Sequence, residues 1–114
     1  MTWLVDGMNV IGARPDGWWR DRTAAMARLV AELDAFARRT GGEVAVVLDG
    51  RLRDVGTPER VAVAFAPVAD DALAARARPG DVVVTSDAAL AERARAAGAA
   101  VEGAGAFRRR MDSA

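Results

Sequence analysis

The chain has 114 residues, 52% of them apolar, and 16 acidic residues balance 16 basic ones, which suits one domain around one sizeable core. It has no cysteine and no histidine, and every base is arginine. Disulfides, thiolate zinc sites, imidazole bases, serine triads, Schiff bases and a phosphate-loop lysine are therefore excluded, and any catalysis must rest on carboxylates, hydroxyls, arginines or a metal held by oxygen ligands.

In chain order, residues 2–5 read as a strand closed by Asp6. Residues 7–20 read as a loop, punctuated by Pro15, Asp16 and Gly17. Asp21 or Thr23 can cap a helix reaching about Arg39, in which Met26, Leu29, Val30, Leu33 and Phe36 form one apolar stripe. Gly41 and Gly42 end it. The unbroken apolar run 44–48, closed by Asp49 and Gly50, fits a strand covered on both faces.

Residues 50–59 hold Gly56 and Pro58 and form a loop or a very short helix, brief for a full parallel crossover. A third strand covers 61–65, and a short helix 69–77 is broken by Pro79 and Gly80. Val82, Val83 and Val84 form the fourth strand. Ser86 is a good N-cap for the next helix, where Leu90, Ala94 and Ala97 share a face. Gly98 stops that helix, 99–101 is a fifth strand, and Phe107 with Arg108, Arg109 and Arg110 lies in a tail. Strands alternating with helices imply right-handed crossovers and a parallel sheet with helices on both faces. In such sheets ligands bind beyond the carboxyl ends of the strands.

Asp6, Asp49 and Asp87 directly follow strands, and Asp70 and Asp71 open a helix. Carboxylates gathered at one edge repel each other and push a pKa upward. A divalent cation such as Mg²⁺ or Mn²⁺ relieves that repulsion and, with bound water, suits phosphodiester hydrolysis. Asp6, Asp70 and Asp87 are the candidate ligands, with Asp71 and Asp49 as further ones. Asn9 and Ser86 could orient water or phosphate. Arg51, Arg53 and Arg108 are candidate phosphate contacts, and Trp18 and Trp19 could stack bases. Ordinary structural roles compete throughout: helix-start acids, Asp-Gly turns, solvated arginines and core tryptophans. The Gly103-Ala104-Gly105 run is no dinucleotide fingerprint, because it lacks the third glycine and follows the last strand.

Taken in order, Asp6-Gly7-Met8-Asn9, Leu48-Asp49, Ala69-Asp70-Asp71-Ala72 and Thr85-Ser86-Asp87 resemble the NYN domains, and within them the bacterial YacP-like branch of the PIN-like ribonucleases. The resemblance implies an α/β/α sandwich on a parallel sheet of order 3-2-1-4-5, an acidic Mg²⁺ or Mn²⁺ site, and RNA hydrolysis. It implies that Asp6 is the first-strand acid, Asn9 its asparagine, Asp70 the acid of the central helix and Asp87 the acid after the fourth strand. Met8 stands where these proteins often have tyrosine, and the residues 66–69, Ala-Pro-Val-Ala, replace a more polar approach to Asp70.

The expected function is metal-dependent cleavage of single-stranded RNA. The alternatives are a catalytically silent RNA- or nucleotide-binding module and a phosphohydrolase of small phosphate esters. Association with the ribosome or the translation machinery would rest on family analogy alone. The N-terminus carries no basic segment before an apolar one, and no apolar run approaches the ~20 residues that span a bilayer, so a cytoplasmic protein is expected.

Overall fold

A computed structural model describes residues 1–113. Five strands, β1 (Thr2–Asp6), β2 (Glu43–Asp49), β3 (Val61–Ala66), β4 (Val82–Val84) and β5 (Ala100–Glu102), form one parallel sheet of order β3-β2-β1-β4-β5. Five α-helices flank it: α1 (Gly7–Gly12), α2 (Arg22–Thr40), α3 (Ala69–Arg76), α4 (Ala88–Ala96) and α5 (Ala104–Asp112).

The sheet has two faces because strand side chains alternate. Val5, Val44, Val46, Leu48, Val61 and Val84 pack against α1, α2 and α5. Leu4, Ala45, Val47 and Val83 pack against α3 and α4, whose Ala69, Leu73, Leu90 and Ala94 meet them. The second layer is built largely of alanine, so its helices can approach the sheet closely. On the first, Trp3, Phe36 and Phe107 form an aromatic cluster with centroids 5.2–5.8 Å apart.

The expected apolar stripe of α2 is buried along its whole length. Asp21 accepts the N–H of Ala24 at 3.0 Å, which settles the cap on Asp21 rather than Thr23. Arg38 and Arg39 occupy its last turn, and Gly41 ends it at φ 71°, where a side chain would be strained.

The β2–β3 connection contains no helix. Its 11 residues, 50–60, can reach about 36 Å extended, enough to run back along a strand of about 23 Å. Two contacts replace the missing helix. Val55 is buried in the core, and the buried Asp34 accepts the Arg60 N–H at 2.7 Å while pairing with Arg38 at 2.8 Å.

Two expectations need correction. Residues 7–12 are helix α1, not loop, and a 3₁₀ turn follows at Trp18–Arg20. Val10 and Ile11 bury the inner side of α1, and Gly7 lets it start hard against β2. A Cβ at Gly7 would lie 2.5 Å from Leu48 Cδ2 and 3.1 Å from the Val47 carbonyl oxygen. The arginine-rich tail is helix α5, seated by buried Ala104, Phe107 and Met111; Phe107 and Met111 stand four apart. Among the described residues no helix is long and apolar enough to cross a membrane.

Candidate functional site

Side-chain alternation and register decide which acids meet. In β1, Leu4 faces α3 and α4, so Asp6, two residues on, faces the same way. Asp49 stands in the same phase as Ala45 and Val47, and Thr85 in the same phase as Val83. All three stand at the carboxyl edge. Helices α3 and α4 begin at that edge too, because each follows a strand of the parallel sheet. Asp70 and Asp71 lie in the first turn of α3, and Asp87 immediately precedes α4.

A hydrogen-bond chain fixes this edge. The Asp87 N–H donates to Thr85 Oγ1 at 3.1 Å, and that hydroxyl donates to Asp6 Oδ2 at 2.9 Å. The Asp87 carboxylate accepts the N–H of Leu90 at 2.9 Å, so Asp87, not Ser86, caps α4. Ser86 instead donates its N–H to Asn9 Oδ1 at 2.7 Å and accepts the Ala104 N–H on Oγ at 2.9 Å. It thereby joins α1, the β4–α4 turn and the start of α5. Asn9 uses its carbonyl oxygen there, which turns its NH₂ group away from Ser86. Asp49 accepts the N–H of Ala69 at 2.8 Å and ties the end of β2 to the start of α3.

Electrostatics carries the mark of crowding. Asp6 is 4% exposed. Burial pushes its carboxyl up to about 6, neighbouring Asp70 and Asp49 add to the rise, and the Thr85 hydroxyl opposes it. The Asp70 carboxyl is also raised, by burial first and then by Asp87, Asp49 and Asp71, against the pull of Arg93. Asp6, Asp49, Asp70 and Asp87 thus share one field. Asp71 points elsewhere: it is exposed and pairs with Arg93 at 2.8 Å.

The donor chemistry suits a hard divalent cation in one mode. Among the described residues, no three acidic side chains lie close enough to enclose an ion by themselves. Mg²⁺ commonly takes only one or two carboxylates, completing its shell with water and substrate phosphate. Asp6, oriented by the Thr85 hydroxyl and the Asn9 backbone N–H, and Asp70 could supply those one or two carboxylates, while Asp49 and Asp87, each holding the start of a helix, would act through water. A cleft of about 330 Å³ between α1, the β4–α4 turn and the start of α5 is lined by Met8, Asn9, Gly12, Ala13, Ser86 and Ala104, with no acid in its wall. A larger hollow of about 450 Å³ between Trp3, Phe36, Arg39 and Arg110 lies at the opposite, amino-terminal edge and holds none of these acids.

The basic candidates divide. Arg51 is exposed and directly follows the acidic edge. Arg53 donates to Thr23 Oγ1 at 3.1 Å, linking the loop after β2 to the start of α2. Arg108 does not belong to the site: it is 8% exposed and pairs with Glu32 at 2.8 Å in the α2–α5 layer. Helical phase explains this, since the residue after Phe107 on a packed helix turns partly inward. Trp18 packs on the core, whereas Trp19 is 56% exposed. Sequence reasoning missed Thr85 as a site residue. Strand alternation carried the signal, because the residue two beyond the inward-facing Val83 had to emerge beside Asp6.

This geometry has parallels among known proteins. The solved structure of Rae1 (YacP) from Bacillus subtilis is similar, with a TM-score of 0.78 and 27% identity over 99% of this chain and 74% of that one. A substituted form of Rae1 gives a TM-score of 0.79 and 26% identity over 98% and 75%. A UPF0178 protein of Caulobacter sp. strain K31 is 43% identical over 75 residues, 63% of this chain and 50% of its own length. One from Bradyrhizobium diazoefficiens is 48% identical over 73 residues, 61% and 44% respectively. The chain thus aligns with about half the length of these relatives. The family model described as "Uncharacterized BCR, YaiI/YqxD family" matches residues 24–106, and the chain belongs to that family.

Proposed function

We propose that the chain hydrolyses phosphodiester bonds of single-stranded RNA with the help of Mg²⁺ or Mn²⁺. The observation that carries this reading is the placement of buried Asp6 together with Asp49, Asp70 and Asp87 at the carboxyl edge of the sheet. The likeness to Rae1 (YacP) and the motif resemblance to YacP-like NYN domains of the PIN-like group support it. Asp6 and Asp70 would hold the ion, which when bound supplies an activated water and neutralises phosphate charge. Thr85 fixes the orientation of Asp6 by its hydroxyl. Asn9, with its carbonyl oxygen held by the Ser86 N–H, presents its NH₂ group to a phosphate oxygen in the cleft. Asp87 holds the first turn of α4 and, through Thr85, the position of Asp6.

The test is incubation of labelled single-stranded RNA with Mn²⁺, with Mg²⁺ and with EDTA, alongside DNA, nucleoside triphosphates and p-nitrophenyl phosphate. RNA cleavage that needs the metal and disappears in Asp6→Asn and Asp70→Asn is expected. Cleavage that survives EDTA or both substitutions would overturn the reading, as would turnover of the phosphate ester alone. The same assay separates this from a second reading, an RNA-binding module without turnover. Binding of RNA without product under every metal condition would establish it.

A further inference from the structure

The described residues include four exposed large apolar side chains, Met1, Trp19, Leu52 and Val68. Three of them gather at the edge where the acids lie. Trp19 is in the turn that leads into α2, Leu52 is three residues beyond Asp49, and Val68 immediately precedes α3. The Arg53–Thr23 hydrogen bond clips residues 51–53 to the start of α2, beside that turn.

Basic groups accompany the apolar ones. The Arg20 guanidinium lies 5.9 Å from the Trp19 ring centroid and that of Arg22 5.5 Å from the Trp18 ring, while the two indoles meet edge to face at 6.1 Å. Arg20, Arg22, Arg51 and Arg53 make no ion pair with a described residue, a freedom they share with six other arginines; what sets the four apart is their place beside the exposed Trp19 and the acidic edge. Asp21, the acid inside these segments, accepts the Ala24 N–H, and the flanking Asp16 and Asp54 are engaged with Arg28 and the Gly56 N–H.

We propose that residues 18–22 and 51–53 form a platform that binds single-stranded RNA, stacking a base on Trp19 and placing Arg20, Arg22, Arg51 and Arg53 against the phosphates. The chemistry is that of single-strand binders, in which aromatic faces accept any base and guanidiniums follow the backbone. It also resolves a difficulty of charge. The chain is neutral overall, and its acidic edge repels phosphate when no cation is present, so the attraction for RNA must come from a local basic surface. The platform rests on the nuclease reading for its purpose and not for its existence, because it binds RNA without a divalent ion.

Fluorescence anisotropy of a labelled oligo-uridine in EDTA tests this, with tryptophan quenching as a second readout. Trp19→Ala and the double variant Arg51→Ala/Arg53→Ala should each weaken binding by about 5-fold or more. The double variant, which removes two phosphate contacts, should also flatten the salt dependence by about 1.4 units of log Kd per log salt. Trp19→Phe, which keeps a ring, should bind nearly as well as the parent. Arg76→Ala and Arg95→Ala, at the far ends of α3 and α4, should change nothing. Single-stranded DNA should bind comparably and duplex RNA poorly. Parent-like binding by the platform variants, or a preference for duplex, overturns the proposal whatever the cleavage assay gives. Loss of binding in these variants, combined with a parent that cleaves nothing, leaves the platform standing and removes the nuclease reading.

Discussion

Asp6→Asn separates stability from function. The substitution keeps the shape of the side chain, and an amide oxygen can still accept the Thr85 hydroxyl. It removes the charge and exchanges one acceptor oxygen of the carboxylate, which takes the Thr85 hydroxyl and the Asn9 backbone N–H, for an NH₂ donor. Folding raises the Asp6 carboxyl from 3.8 to about 6, so the folded chain holds that proton more tightly than the unfolded one. Stability from this group is therefore fully present below about pH 4 and is lost as the pH rises through about 6. At 1.36 kcal/mol per pH unit the ceiling is about 3 kcal/mol, and solvent at the rim of the sheet lowers the expectation to about 1–2 kcal/mol. Without divalent ions, Asp6→Asn should melt roughly 4–8 °C higher than the parent at about pH 7.5. At about pH 4 the two should melt together. Circular dichroism melts at the two pH values measure this directly. A variant no more stable than the parent at the higher pH, or one with the same gain at both, would refute the claim that Asp6 is a strained, buried charge. Adding Mn²⁺ should raise the melting temperature of the parent and leave that of the variant unchanged.

Other substitutions probe the supports of the site. Gly7→Ala forces a Cβ into Leu48 and the Val47 carbonyl, and chemical denaturation should record a loss of about 1–3 kcal/mol. Thr85→Val removes both a donor to Asp6 and the acceptor of the Asp87 N–H. It should cost about 1–3 kcal/mol and raise the Asp6 carboxyl further, moving the acidic limb of any pH–rate profile to higher pH. Asp34→Ala releases the Arg60 N–H and the Arg38 guanidinium. Limited trypsin digestion should then cut at Arg51, Arg53 or Arg60 faster than in the parent, with the other arginines cut as before.

Much of the fold was legible along the chain because its signals are local. The apolar runs at 44–48 and 82–84 and the stripe from Met26 to Phe36 need only periodicity to be recognised. Helix α1 was hidden: six residues opened by glycine look like a loop, and only the close fit of Gly7 over Leu48 and Val46 shows what the glycine serves. Helix α5 was hidden by its arginines, one of which proved to be an interior ion pair with Glu32. Ser86 was read as a cap because serine favours that position, yet Asp87 beside it holds the Leu90 N–H and leaves Ser86 to bridge Asn9 and Ala104.

By itself the sequence determined which chemistry is open to this protein. Without histidine, cysteine or lysine, catalysis is left to carboxylates, hydroxyls, arginines or a metal held by oxygen ligands, and the five candidate aspartates stand where strands end or helices begin. Tertiary structure alone decided which of them meet. The parallel register sets Asp6 beside Thr85, and the phase of β2 and the start of α3 bring Asp49 and Asp70 into the same field, while Asp71, one residue away, turns to Arg93. Spacing along a chain fixes the face on which a side chain emerges, but proximity across strands depends on sheet order and register, which are set by packing between residues far apart in sequence.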